Sequence, residues 1–177
     1  MERGVDDTAS YLTPGGGDTW AQAVRAAGGR GSQKLREATR VTPPDWVADA
    51  LGVPIAGTVV ARRRTMYLGD DPVELTDSFY PLEIAGHTAL EHPNRIPGGA
   101  VTLLAHLGYV ADHADEAVDL AGHPTKAEAA LLGIKPNTRV VRIRRVVKTA
   151  TGAPFEATEI VMIPTGRTLH HRVVVEP

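Results

Sequence analysis

Two stretches of this 177-residue chain share one plan, and that plan limits the folds open to it. Each runs as an arginine- and valine-rich segment, a turn built on glycine and proline, and a return segment with a glutamate near its start. The first holds Arg62-Arg63-Arg64, Gly69-Asp70-Asp71-Pro72 and Val73-Glu74; the second holds Arg142-Ile143-Arg144-Arg145, Gly152-Ala153-Pro154 and Phe155-Glu156. β-Prone residues on both sides of such a turn make an antiparallel hairpin. Strands are therefore expected over 57–68 with 73–80, and over 138–148 with 155–163. Two hairpins that look like an internal pseudo-repeat, with helices between them, call for an α+β domain whose helices sit to one side or end of the sheet.

The rest of the chain reads around that frame. Its first 43 residues hold the glycine runs Gly15-Gly16-Gly17 and Gly28-Gly29. One helix fits there, with Asp18 as N-cap, Trp20, Val24 and Ala27 along one side, and Gly28-Gly29 as the stop. A short strand over 34–41 follows. Residues 1–43 are read as a linker-like arm, and 44–177 as the domain. Within the domain, helices are expected over 45–51 (ended by Gly52), 99–107 (ended by Gly108) and 124–132, with Pro124 in the first turn and Gly133 as the stop. Strands are expected over 109–120 and 170–176. The proline-bearing stretch after Pro81 reads as a loop.

Composition removes whole classes of chemistry. There is no cysteine, so disulfides, thiolate metal centres and thiol nucleophiles are out. Nineteen Lys and Arg against twenty-one Asp and Glu give a formal charge of −2, without the basic excess of a protein that grips nucleic acid by itself. No apolar run reaches the ~18 residues of a membrane span, and no signal peptide is visible. A cytoplasmic location is expected, with no membrane partner. The seven histidines show no HxxxH or HExxH spacing, and no metal site or cofactor is expected.

Strand alternation sorts the polar residues by face. Glu74, Thr76, Ser78 and Tyr80 share one face of their strand; Arg62, Arg64 and Met66 share one face of the preceding strand; Glu156 and Thr158 lie together on the last. Spacing alone leaves two readings open. One is a solvated sheet face with ordinary cross-strand Arg–Glu and Thr–Ser pairs. The other is a pocket, in which Arg64 holds an anionic oxygen by a forked hydrogen bond and Glu156 or Tyr80 exchanges protons. His87, in the loop after the first hairpin, is placed where it could cap such a pocket.

The ordered pattern resembles a known family. It runs Arg62-Arg63-Arg64, Asp71-Pro72-Val73-Glu74-Leu75, Ser78-Phe79-Tyr80-Pro81, Gly98-Gly99-Ala100-Val101 and Leu104 to Gly108. It continues through Thr125 to Gly133 and ends in Gly152-Ala153-Pro154-Phe155-Glu156. It is similar to the UTRA domain, the effector-binding half of GntR-type repressors of the HutC subfamily, over about residues 44–177. The resemblance implies a chorismate-lyase-like fold: a six-stranded antiparallel sheet with flanking helices, a ligand pocket against the sheet, and a tendency to dimerise. It places ligand contacts at Arg64, Ser78, Tyr80, Glu156 and Thr158, and Arg62, Thr76 and His87 are further candidate ligand-binding residues. Where sugar-phosphate-binding members tend to carry an Arg-x-Arg pair, this chain has Arg64 and Met66. Relatives carry a winged helix ahead of this domain; only the arm stands here.

Taken together, these readings give an expectation and an alternative. A pocket domain without a DNA-reading head, cysteine, metal motif or phosphate loop is expected to act as a cofactor-independent enzyme. Dehydration or elimination, conjugate addition, isomerisation or cyclisation of a secondary metabolite would use Glu156, Tyr80 and Arg64 as catalytic residues. The alternative is the effector-sensing domain of a GntR/HutC-type repressor, binding a small ligand without turnover. In either case the partners expected are a small molecule and a second copy of the chain, with Val173-Val174-Val175 or the arm near the contact, and no DNA.

Overall fold

The computed structural model describes residues 11–15, 18–164 and 169. A six-stranded, fully antiparallel sheet dominates it, in the order β1-β2-β3-β6-β5-β4. The strands are β1 Gly31–Val41, β2 Val59–Leu68, β3 Asp71–Pro81, β4 His113–Gly122, β5 Val140–Lys148 and β6 Pro154–Met162. The order is its own mirror. The first three strands form one half and the last three the other, with β3 and β6 paired at the centre through Ser78↔Thr158 and their neighbours. Both expected hairpins are present, β2–β3 and β5–β6.

Among the described residues five α-helices flank the sheet: α1 Thr19–Ala26, α2 Asp45–Leu51, α3 Leu82–Ala85, α4 Gly99–His106 and α5 Lys126–Leu132. Contrary to the one-sided arrangement expected, they cover both faces. On the back face, α2 buries Val47 and Leu51 against Phe79, Ala61 and Ala157, and α5 buries Leu132 against Leu75, Val140 and Val161. On the front face, α1 lays Trp20 and Val24 on Met66, and Leu104 of α4 joins Val60, Tyr80 and Val147. The reason is visible in the strands. β3 alternates Leu75 and Phe79 with Tyr80, so both faces carry large apolar side chains that need cover.

Local chemistry sets the boundaries. Asp18 caps α1 by accepting the Ala21 N–H at 3.0 Å. Gly52 and Gly133 end α2 and α5 in left-handed conformations, at φ 66° and 64°. Helix α5 starts two residues later than expected: Thr125 caps it through a reciprocal capping box with Glu128, and Pro124, expected as the first helical residue, precedes the cap. Residues before Pro44, expected as an arm, contribute α1 and the edge strand β1, which pairs along β2 from Gly31↔Leu68 to Val41↔Val59. The strand expected over 109–120 runs instead from His113 to Gly122. The loop after Pro81 contains α3 and a 3-10 turn, Ala89–Glu91. The strand expected over 170–176, and with it Val173-Val174-Val175, lies outside the described residues.

Candidate functional site

The front face of the sheet carries a cavity of about 140 Å³ across the β3–β6 seam. Arg64, Thr76, Ser78, Tyr80, Glu156 and Thr158, the polar strip read from strand alternation, all line it. Other walls were not anticipated. Met66, Glu74, Ile143, Arg145, Ile160 and Met162 complete the sheet surface, Gly98 to Val101 close it from the start of α4, and Tyr11, Leu12, Thr13, Thr19, Trp20 and Gln33 close it from the N-terminal side. Alternation places Glu74 and Met66 on this face without marking them as pocket residues; nothing local marks Tyr11 or Trp20. A second, more open cavity of about 430 Å³ adjoins the first, sharing Gln33, Arg64, Gly98, Gly99 and Ala100 with it.

A chain of hydrogen bonds with one direction runs through the strip. Thr158 Oγ1 donates to Glu156 Oε1 at 2.8 Å, which uses its single proton. It must therefore accept from Ser78 Oγ, 3.0 Å away, and Ser78 in turn accepts from Arg64 Nη2 at 3.2 Å. Two buried hydroxyls thus join a cation to a carboxylate. The pseudo-repeat shows in the chemistry as well: Thr76 Oγ1 donates to Glu74 Oε1 at 2.9 Å, the counterpart of Thr158 on Glu156.

Two groups in this strip are short of partners. The Tyr80 side chain is fully buried and its hydroxyl has no hydrogen-bond partner. Burial pushes the phenol well above its ordinary range, and the nearby Glu156 charge adds to this. The cations Arg64 and Arg62 and the neighbouring Ser78 hydroxyl pull the other way, the last without reaching hydrogen-bond geometry. Arg64 Nε is buried and unpartnered too, and among the described residues no carboxylate pairs with this guanidinium. Buried polar atoms are normally satisfied, so two donors left open in one cavity mark a place for an acceptor.

Arg62 has a different occupation. It is 5 % exposed, and its guanidinium donates to the carbonyls of Ala89, Leu90, His92 and Asn94 at 2.8–3.3 Å. Burial without a counter-charge lowers its pKa. It borders the second cavity and fixes the segment that leads into α4. His87 lines neither cavity: it is exposed, at φ 62°, and its backbone N–H donates to Glu91. Among the described residues no cluster of three or more His, Cys, Asp and Glu could hold a metal ion. No described helix is long and apolar enough to cross a membrane.

Fold and cavity together define an α+β pocket domain whose site is built by two related hairpins. The chain belongs to the UTRA domain family, whose model matches residues 26–165. It is 33 % identical over 140 residues to an uncharacterized HTH-type transcriptional regulator, SCO4628, of Streptomyces coelicolor. That match covers 76 % of this chain and 52 % of the relative, so the chain spans about half the length of the curated relative it matches. Among solved structures it is similar to PhnF from Mycobacterium smegmatis, with a TM-score of 0.75 at 18 % identity, covering 89 % of this chain and 68 % of that one. It is also similar to the ligand-binding domain of a GntR-family transcriptional regulator from Bordetella bronchiseptica. There the TM-score is 0.70 at 23 % identity, covering 84 % of this chain and 90 % of that one.

These relatives overturn the expectation of a cofactor-independent lyase, cyclase or isomerase, because they are regulators and regulator domains. Tyr80, expected as a catalytic proton carrier, holds its proton more tightly than a free phenol, and Glu156 and Arg64, expected with it, stand at the two ends of the hydroxyl chain.

Proposed function

We propose that this chain is the effector-sensing domain of a GntR-type transcriptional regulator, binding a small molecule in the front-face cavity and releasing it unchanged. The observation that carries this reading is the pair of buried, unpartnered donors, Tyr80 Oη and Arg64 Nε, in a cavity on a UTRA-family sheet. Ligand contacts fall to Arg64, Tyr80, Glu156 and the apolar wall. Ser78 and Thr158 position the charged groups, and Arg62 positions the start of α4. In this reading the chain works as a homodimer and leaves DNA contact to another part of the regulator, in keeping with its net charge of −2.

The test is a thermal melt with fractionated small-molecule extract, followed by mass spectrometry of what the protein retains. A ligand that binds only the folded state raises the melting temperature by mass action. The expected result is a retained compound, recovered chemically unchanged, whose effect is lost in Arg64→Gln. Turnover of that compound by the protein would overturn the reading.

A further inference from the structure

The cavity is built on a pseudo-repeat, and the places where the repeat breaks indicate what it holds. Pro72 and Pro154 open the two return strands, so Glu74 corresponds to Glu156 and Thr76 to Thr158, and both pairs make the same Thr-to-Glu hydrogen bond. The next equivalent positions differ. Ser78 and Tyr80 in one half correspond to Ile160 and Met162 in the other. Because β3 and β6 run antiparallel, Ser78 pairs with Thr158 and Glu74 with Met162. Tyr80, Ser78, Thr158 and Glu156 therefore gather at one end. At the other end Met66, Ile143, Ile160 and Met162 make an apolar wall, interrupted by the Glu74–Thr76 pair.

The polar end has specific needs. Among the described residues Arg64 has no carboxylate partner, and it and Tyr80 each have a buried atom without a hydrogen bond. A ligand that excludes water there must bring an anionic acceptor to them. Glu156 stands at the same end and accepts one hydrogen bond, from Thr158. An anionic head that met this carboxylate without a donor of its own would be repelled, so the head must also carry a hydroxyl that donates to Glu156. The apolar wall takes the remainder. A 140 Å³ cavity is comparable to one of ~150 Å³ that accepts a benzene ring, so it takes a body of about one ring, while the adjoining cavity of about 430 Å³, which shares Arg64, leaves room for the head.

We infer that the ligand is a small hydroxy acid with an apolar, ring-sized body: carboxylate on Arg64 and Tyr80, hydroxyl on Glu156, body along Met66, Ile160 and Met162. This rests on the effector-binding reading above. It excludes a phosphorylated sugar, whose many hydroxyls would face thioether and sec-butyl groups and whose dianion would meet one arginine that lacks a carboxylate partner.

Calorimetry on the full chain with four probes tests it: mandelate, phenylacetate (no hydroxyl), mandelamide (no charge) and glucose 6-phosphate. Mandelate is expected to bind tightest, with phenylacetate several-fold weaker and mandelamide more than tenfold weaker. Arg64→Gln should erase the preference for mandelate over mandelamide, and Tyr80→Phe should weaken mandelate about fivefold with the melting temperature retained. Mandelamide or phenylacetate equal to mandelate overturns the assignment, as does no binding of any probe at millimolar concentration. Tight glucose 6-phosphate binding that Arg64→Gln abolishes overturns the ligand class and leaves the effector reading standing. Conversion of any bound probe to a product removes the effector reading itself.

Discussion

Thr158→Val cuts the hydroxyl chain at its centre without changing side-chain shape. Valine suits a strand, and Thr158 is 3 % exposed, so no cavity opens and no surface term enters. Two interactions go: the bond to the Glu156 carboxylate, worth about 1.5–3 kcal/mol, and the neutral bond from Ser78, worth about 1 kcal/mol. The Ser78 hydroxyl, 1 % exposed, is then left with a proton and no acceptor. A loss of about 3 kcal/mol follows, measured as a shift of the urea midpoint at constant slope. The direction of the chain adds a sharper condition. Ser78→Ala alone removes the donor that Thr158 accepts, but in the Thr158→Val background the same change removes a stranded donor and costs little. The double variant should therefore be more stable than the sum of the singles predicts by about 1 kcal/mol or more. Additivity within about 0.3 kcal/mol would refute the directional chain.

Two further outcomes follow from the same structure. Arg62→Met leaves four carbonyls of the 89–94 segment without their donor, and should cost about 3 kcal/mol while exposing that segment to limited proteolysis; Arg62→Lys should rescue it only in part, since three ammonium protons cannot serve four acceptors. At Glu128 burial acts to raise the carboxyl pKa, but the forked contact with Arg142 outweighs it and holds the group below its usual 4.5. A depressed folded pKa contributes stability that is present above the unfolded value and is lost as pH falls through the folded one. Wild type should thus melt higher than Glu128→Gln at neutral pH, and the gap should close as pH falls below the usual 4.5 and through the depressed folded value; a gap that stays constant counts against this.

How much of this was legible in the residues depended on distance along the chain. The hairpins announce themselves because turn and strands are contiguous, and period-two alternation places Thr76, Ser78 and Tyr80 on one face whatever packs above them. The N-terminal wall carries no such mark. Trp20 reaches the site because its indole N–H donates to the Tyr67 carbonyl, 47 residues away, and that contact is a product of the folded sheet. Helix α3 spans four residues behind Pro81, too few for a helical period to register. The two-sided packing was present in the alternation of Phe79 with Tyr80, but a one-sided sheet gives a similar mean composition. Residue types alone also suggested acid/base chemistry, since Arg, Tyr and Glu serve binding and catalysis equally. What separates the two is the regulator family to which the chain belongs, which the residue types of the strip do not carry.

The mirror order of the strands has a consequence for how such a site changes over time. Arg64, Ser78 and Tyr80 come from one hairpin, Glu156, Thr158, Ile160 and Met162 from the other, and they meet only at the β3–β6 seam. Neither half holds the proposed binding site alone. One half can therefore be rewritten, polar residue for apolar, while the other preserves the shared floor. The same joint makes a bound molecule a staple between two structural modules, so that selection for a new ligand is also selection on how firmly the halves of the sheet stay together.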